Sequence, residues 1–213
     1  MRDAAVVRRG VAACRKVLGD GGLLLVQDAA LPSVTTLVTG EAVRGSWWSH
    51  EQAHSIFDVL EELEADATVA KLVAKKQTLV HRDRWPELAA VGAERAAWQL
   101  DGLPADVRAV VAQVDRAGGA VRSDALVVSG DRARSAVVRD VELRLLLAVE
   151  EVHTDAGRHA KVLRPWSEWS SDVGIAASLP DPGAARVAFE AVVRRWAPER
   201  VAQLLPWPVE VPS

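Results

Sequence analysis

The stretch "RARSAVVRDVELRLLLAVEEVHTDAGRHAKVLRPW", residues 132 to 166, runs a helical pattern directly into a strand pattern. Over residues 132 to 146, Val138, Val141 and Leu145 fall on one face of a helix, and Arg132, Ser135, Arg139 and Glu142 on the opposite one. From 147 to 163 the spacing predicts two strands joined by Thr154-Asp155-Ala156-Gly157-Arg158, with Gly157 suited to the left-handed backbone of a hairpin loop.

Upstream the same order is legible once more. Residues 3 to 18 space Val7, Val11, Cys14 and Leu18 as one helical face, which Gly19-Asp20-Gly21-Gly22 terminates. "LLLVQ", residues 23 to 27, reads as a strand, and Pro32 and Ser33 open a short helix ending near Gly40. Ser49 is then a plausible N-cap for a helix whose stripe is Ala53, Ile56, Phe57, Leu60 and Leu63. "TVAKLVAKKQTLVHRDRW", residues 68 to 85, follows as a hairpin with Lys75 and Lys76 at its tip. A further helix, "PADVRAVVAQVD" at 104 to 115, begins the second set. Helices followed by hairpin wings make winged helices. The expected fold class is therefore α+β, with tandem winged-helix modules. Residues 1–100 form a helical and winged-helix-like module, 101–170 a second winged-helix module, and 171–213 a linker, a helix and an apolar tail that leaves Trp207 exposed.

Composition narrows the class. The chain has 213 residues, 49% of them hydrophobic, which is enough for a sizeable core. The formal net charge of −3 gives the chain as a whole no attraction to nucleic acid or anionic membrane, so any basic surface has to be local. A single cysteine, Cys14, excludes an internal disulfide and fits a reducing cytoplasm. No apolar run approaches the roughly 20 residues that cross a bilayer, and charges interrupt the N-terminal segment where a secretory signal needs an apolar run. The expectation is a cytoplasmic protein with no membrane partner.

Three groups of residues carry candidate chemistry. His50-Glu51-Gln52-Ala53-His54 has the His-Glu-x-x-His spacing of zinc hydrolases. On a helix, His50 and His54 would lie one turn apart and share a metal, with Glu51 free to polarise bound water; the bland alternative is a helix that begins near two histidines. Trp47 and Trp48 just before it are either a stacking platform for an unpaired base or a hydrophobic staple, one core and one exposed. Basic residues form the third group. Arg132, Arg134 and Arg139 on the predicted helix, Arg158 and Lys161 on the second hairpin, and Lys75 and Lys76 on the first would contact double-stranded DNA. Asp131, Asp140, Glu142, Glu150 and Glu151 are interleaved with them and offset the attraction.

The segments "GSWWSHEQAHSIF", "LVHRDRWPEL" and "EEVHTDAGRHAKVL" resemble a group of uncharacterised bacterial proteins built from tandem winged helices. Those are similar in architecture to the winged-helix DNA glycosylases that act on alkylated bases and crosslinks, and the likeness covers roughly residues 31 to 170. The resemblance implies a DNA-binding scaffold associated with repair. The glycosylases use a Gln-x-Gln or Gln-x-Asp motif with an apolar middle residue. On this reading no two glutamines are two apart and none has an acid two positions later, so glycosylase activity is not expected to follow from the scaffold. Three readings result: a winged-helix DNA-binding protein, a zinc-dependent hydrolase using the HEQAH segment, and a non-catalytic module with a protein partner. Beyond zinc no cofactor is expected, since no phosphate-binding glycine loop is present.

Overall fold

The computed structural model describes residues 3–153 and 159–209. The protein is α+β: helices surround two small antiparallel sheets of three strands each. Asp3 caps α1 (Ala4–Gly21) by accepting from the amides of Ala5 and Val6, and Gly22, at φ 80°, ends it and turns the chain into β1 (Leu23–Leu25). Ser33 caps α2 (Val34–Thr39), and Gly40 closes it. A 3₁₀ turn at Trp47–Ser49 precedes α3 (Ala53–Leu63), after which β2 (Ala67–Ala70) and β3 (Thr78–His81) complete a sheet in the order β1-β3-β2. Cys14, Leu18, Leu24, Val38, Ile56 and Val59 pack between the helices and this sheet. Burial pushes the Cys14 thiol up to about 12, so it stays protonated and serves as core.

Two helices, α4 (Trp85–Ala93) and the short α5 (Ala97–Leu100), lead to the second set. There α6 (Ala105–Ala117), β4 (Val121–Arg122), a 3₁₀ turn at Ser123–Ala125, α7 (Arg134–Leu143), β5 (Ala148–His153) and β6 (His159–Arg164) repeat the order of the first, and the sheet runs β4-β6-β5. The β5–β6 register pairs Ala148 with Arg164 through to His153 with His159, so the hairpin anticipated over 147 to 163 forms. Gly157 and Arg158 lie outside the described residues. Val107, Val110, Val114, Val137, Val141 and Leu163 make the core of this set.

The C-terminal segment departs from expectation. The expected helix forms as α9 (Pro182–Trp196), but the segments around it are not a free linker and tail: α8 (Trp166–Asp172) and α9 pack on α4, α10 (Val201–Leu204) packs on α9, and together they build the largest core among the described residues, which also takes in Leu23, Val80 and Leu145. Trp207, expected to be exposed, is buried. Its indole N–H donates to Glu190 Oε1 at 2.9 Å, and its ring meets Trp98 edge-on at 5.8 Å.

Two further starts shift. Helix α3 begins at Ala53 with Gln52 as its N-cap, not at Ser49. Helix α7 begins at Arg134, leaving Arg132 in the preceding loop.

Candidate functional site

Around the HEQAH segment the backbone decides the chemistry. The His50 amide donates to the Trp47 carbonyl at 3.0 Å, closing the 3₁₀ turn, and His50 itself is extended at ψ 147°. Its Nδ1 accepts from the Gln52 amide at 3.1 Å, and Nε2 lies 3.7 Å from Glu41 Oε1. Only His54 is on the helix, and it is exposed. The one-turn spacing of His50 and His54 that zinc requires is therefore not formed, and these residues with Glu51 do not fit the hydrolase arrangement. Among the described residues no group of three or more His, Cys, Asp or Glu side chains is gathered to hold a metal.

Trp47 and Trp48 stack, with ring centroids 4.0 Å apart and planes at 24°. Trp47 packs on the first core, as a staple would, while Trp48 is 60% exposed and leans on Phe57 at 5.8 Å. Trp48 is thus the exposed ring of the pair, and Trp47 is half-buried against the core rather than part of it.

The basic residues split by partner. Arg132 is bound twice, to Asp140 Oδ2 at 2.6 Å and Asp106 Oδ1 at 3.2 Å, and the hydrogen bond to Asp140 leads in holding its guanidinium above the ordinary arginine range. Lys161 donates to Glu142 Oε1 at 2.6 Å, and Lys71, arriving from the first sheet, sits 3.0 Å from Glu142 Oε2. Glu142, placed on the solvent face by periodicity, is thus a partly buried joint between the two sets. Lys76 is tied to Asp28 Oδ2 at 2.6 Å. What stays exposed without a carboxylate partner among the described residues is Arg134 and Arg139 on α7 and Lys75 at the hairpin tip, where φ is 59°. The helix in the corresponding position of the first set, α3, carries Glu61 and Glu62 outward instead.

Asp28 explains why Lys76 is not available for a ligand. Burial opposes its charge. The Lys76 ammonium and the amides of Ala30 and Leu31 outweigh that, and the carboxyl sits below its ordinary value. A depressed carboxylate stabilises the fold above its unfolded value of about 4, and that contribution is lost as pH falls through the folded value. Acid unfolding of wild type is therefore expected to include an Asp28 step that Asp28→Asn lacks, read as a flatter stability profile below about pH 4 in urea melts. Parallel profiles for the two proteins would remove this assignment.

The glycosylase motif requires a correction. Asp101 lies two positions after Gln99 with Leu100 between them, and Asp115 two after Gln113 with Val114 between, so the Gln-x-Asp spacing does occur. Gln99 is wholly buried; its Nε2 donates to the carbonyls of Gly92 and Arg144 at 3.1 Å and of Leu145 at 3.3 Å, and its Oε1 accepts from the Ala96 amide at 3.0 Å. Gln113 accepts from the Val127 amide, and Asp115 pairs with Arg95. Both glutamines are spent on structure. The hint in the sequence was a lone amide inside the apolar run "AAWQL".

Between the two sets lies a cleft of about 530 Å³, flanked by β2 and β5. Trp48, Phe57, Leu60, Val69 and Val149 contribute apolar surface to it. Five glutamates and a single lysine, Lys71, are its charged lining. Of these, Glu61, Glu64 and Glu151 have no cationic partner among the described residues, whereas Glu150 accepts from Trp169 Nε1 and pairs with Arg164. No sequence pattern marked this cleft, because its walls come from residues about 80 apart in the chain.

Among the described residues no helix is long and apolar enough to cross a membrane. Comparison with protein-family models, with curated proteins and with solved structures found no match.

Proposed function

We propose that the chain is a tandem winged-helix protein that binds double-stranded DNA through its second set of elements. The recurrence of helix, strand, short helix or turn, helix and hairpin, with the first strand pairing to the third in each sheet, supports the winged-helix reading. The observation that carries DNA binding is the contrast between the two equivalent helices. In α7, Arg134, Ser135 and Arg139 are exposed and neither arginine is neutralised by a described carboxylate, while α3 is acidic. A recognition helix docks by presenting such arginines to phosphates and base edges. Arg158 would extend the contact along the wing, and Lys75 would reach from the first hairpin. A cytoplasmic location and a link to DNA repair belong to the same proposal. The burial of Gln99 argues for binding without base excision.

Fluorescence anisotropy with a labelled duplex tests this. Affinity should fall steeply with salt, and the Arg134→Ala/Arg139→Ala variant should bind about 10- to 100-fold more weakly and lose about two from the slope of log K against log salt. Equal binding by wild type and variant at every salt concentration would overturn the assignment.

A further inference from the structure

We infer that the cleft between β2 and β5 docks an extended segment of a partner protein in which lysine or arginine alternates with large apolar residues. This surface is separate from the arginine face of α7 and does not rest on DNA binding. Its occupant is argued from three observations. Trp48 and Val69, 60% and 40% exposed, both open on the cleft, where they hold apolar surface in water beside Phe57 and Leu60. Phe57 and Glu61 on α3 and Glu64 at its C-cap recur at helical spacing, so an aromatic ring and two carboxylates without a described cationic partner lie on one line. Glu151 adds a third unpaired carboxylate from β5 on the other wall, while Lys71, the only cation of the lining, is committed to Glu142.

An acidic rim around an apolar floor excludes the DNA backbone by like charge and selects a cationic, apolar ligand. A guanidinium or ammonium laid on the Trp48 face would gain from the ring and from the glutamates together. The extended form follows from the line of the cleft. Among the described strands β2 pairs only with β3 and β5 only with β6, and these two outer strands approach each other directly, so the segment lies over them along Phe57, Glu61 and Glu64 rather than between them.

The probe is a short fluorescein-labelled peptide of alternating lysine and leucine, compared with a lysine-serine peptide of equal charge and a glutamate-leucine peptide. Wild type should bind the first, bind the lysine-serine peptide at least ten-fold more weakly, and not bind the acidic one. Glu61→Lys/Glu64→Lys and Trp48→Ala, at exposed positions and checked by thermal melting, should each weaken the first peptide at least ten-fold. Arg134→Ala/Arg139→Ala should bind it as wild type does, so failure here and failure of DNA binding are told apart. Equal binding of all three peptides, or equal binding by wild type and the cleft variants, would overturn the inference. So would a concentration-dependent dimer abolished by Trp48→Ala, which would give the face to a second copy of the chain.

Discussion

Replacing Gln99 with leucine is expected to remove about 3 kcal/mol of stability, the upper end of the usual range for a single substitution. The reason is where the amide's hydrogen bonds go. Helices leave carbonyls unpaired at their C-termini and amides at their N-termini. Gln99 meets the Gly92 carbonyl at the end of α4, the Ala96 amide at the start of α5, and the Arg144 and Leu145 carbonyls just past α7. Leucine fills a similar volume and satisfies none of them. The Arg144 side chain returns the tie by donating to the Gln99 and Asp101 carbonyls, so the loss is felt on both sides of the joint. Urea unfolding at unchanged m-value is the measurement. A loss below about 1 kcal/mol would mean that water enters and replaces the amide.

The second large effect is expected at Gly92→Ala. On an exposed helix this exchange would stabilise by up to about 1 kcal/mol. Here a Cβ would fall inside the Trp166 indole, whose N–H donates to the Leu145 carbonyl at 2.7 Å and whose ring meets Trp169 edge-on at 5.5 Å. The hydrogen bond and the Trp169 contact hold the ring where it is, so relief requires α4 and α8 to separate or the bond to break, at a net cost of about 2 to 3 kcal/mol. Trp166→Phe gives up the hydrogen bond but makes room. The double variant should therefore be less destabilised than the sum of the two single ones, a coupling measured by thermal unfolding of all four proteins. Strict additivity would place the strain elsewhere.

Both effects fall at the seam where the C-terminal helices and the two sets meet, the part of the fold least legible in the sequence. Within each set, local signals sufficed. Ser33 and Gly40 bracket α2, Gly22 ends α1, and the alternation around Lys75 and Thr154 announces the hairpins. Periodicity fails where a competing local bond or a distant partner wins. The stripe through Ala53 and Ile56 is real, but the Trp47–Ser49 turn uses the backbone that would have extended α3 to Ser49, and this undoes the histidine pair. Arg132 reads as part of a helix face because nothing in residues 132 to 146 reveals Asp106, which holds it from α6. For the same reason periodicity places Glu142 on the solvent face and offers Lys161 to DNA, although the two pair with each other. The exposure of Arg139 is legible from spacing alone, whereas Arg134 is in register with Val138 and Val141 and is exposed at the first residue of α7, and spacing does not tell Trp47 from Trp48.

The most direct test of the account is a nuclear magnetic resonance titration of nitrogen-labelled protein with a short DNA duplex. The account expects shifts concentrated over residues 132–144 and in the β5–β6 hairpin, including the side-chain signals of Arg134 and Arg139, with α3 unmoved. Shifts centred on α3 and β2, or none at a duplex concentration that saturates binding, would contradict it.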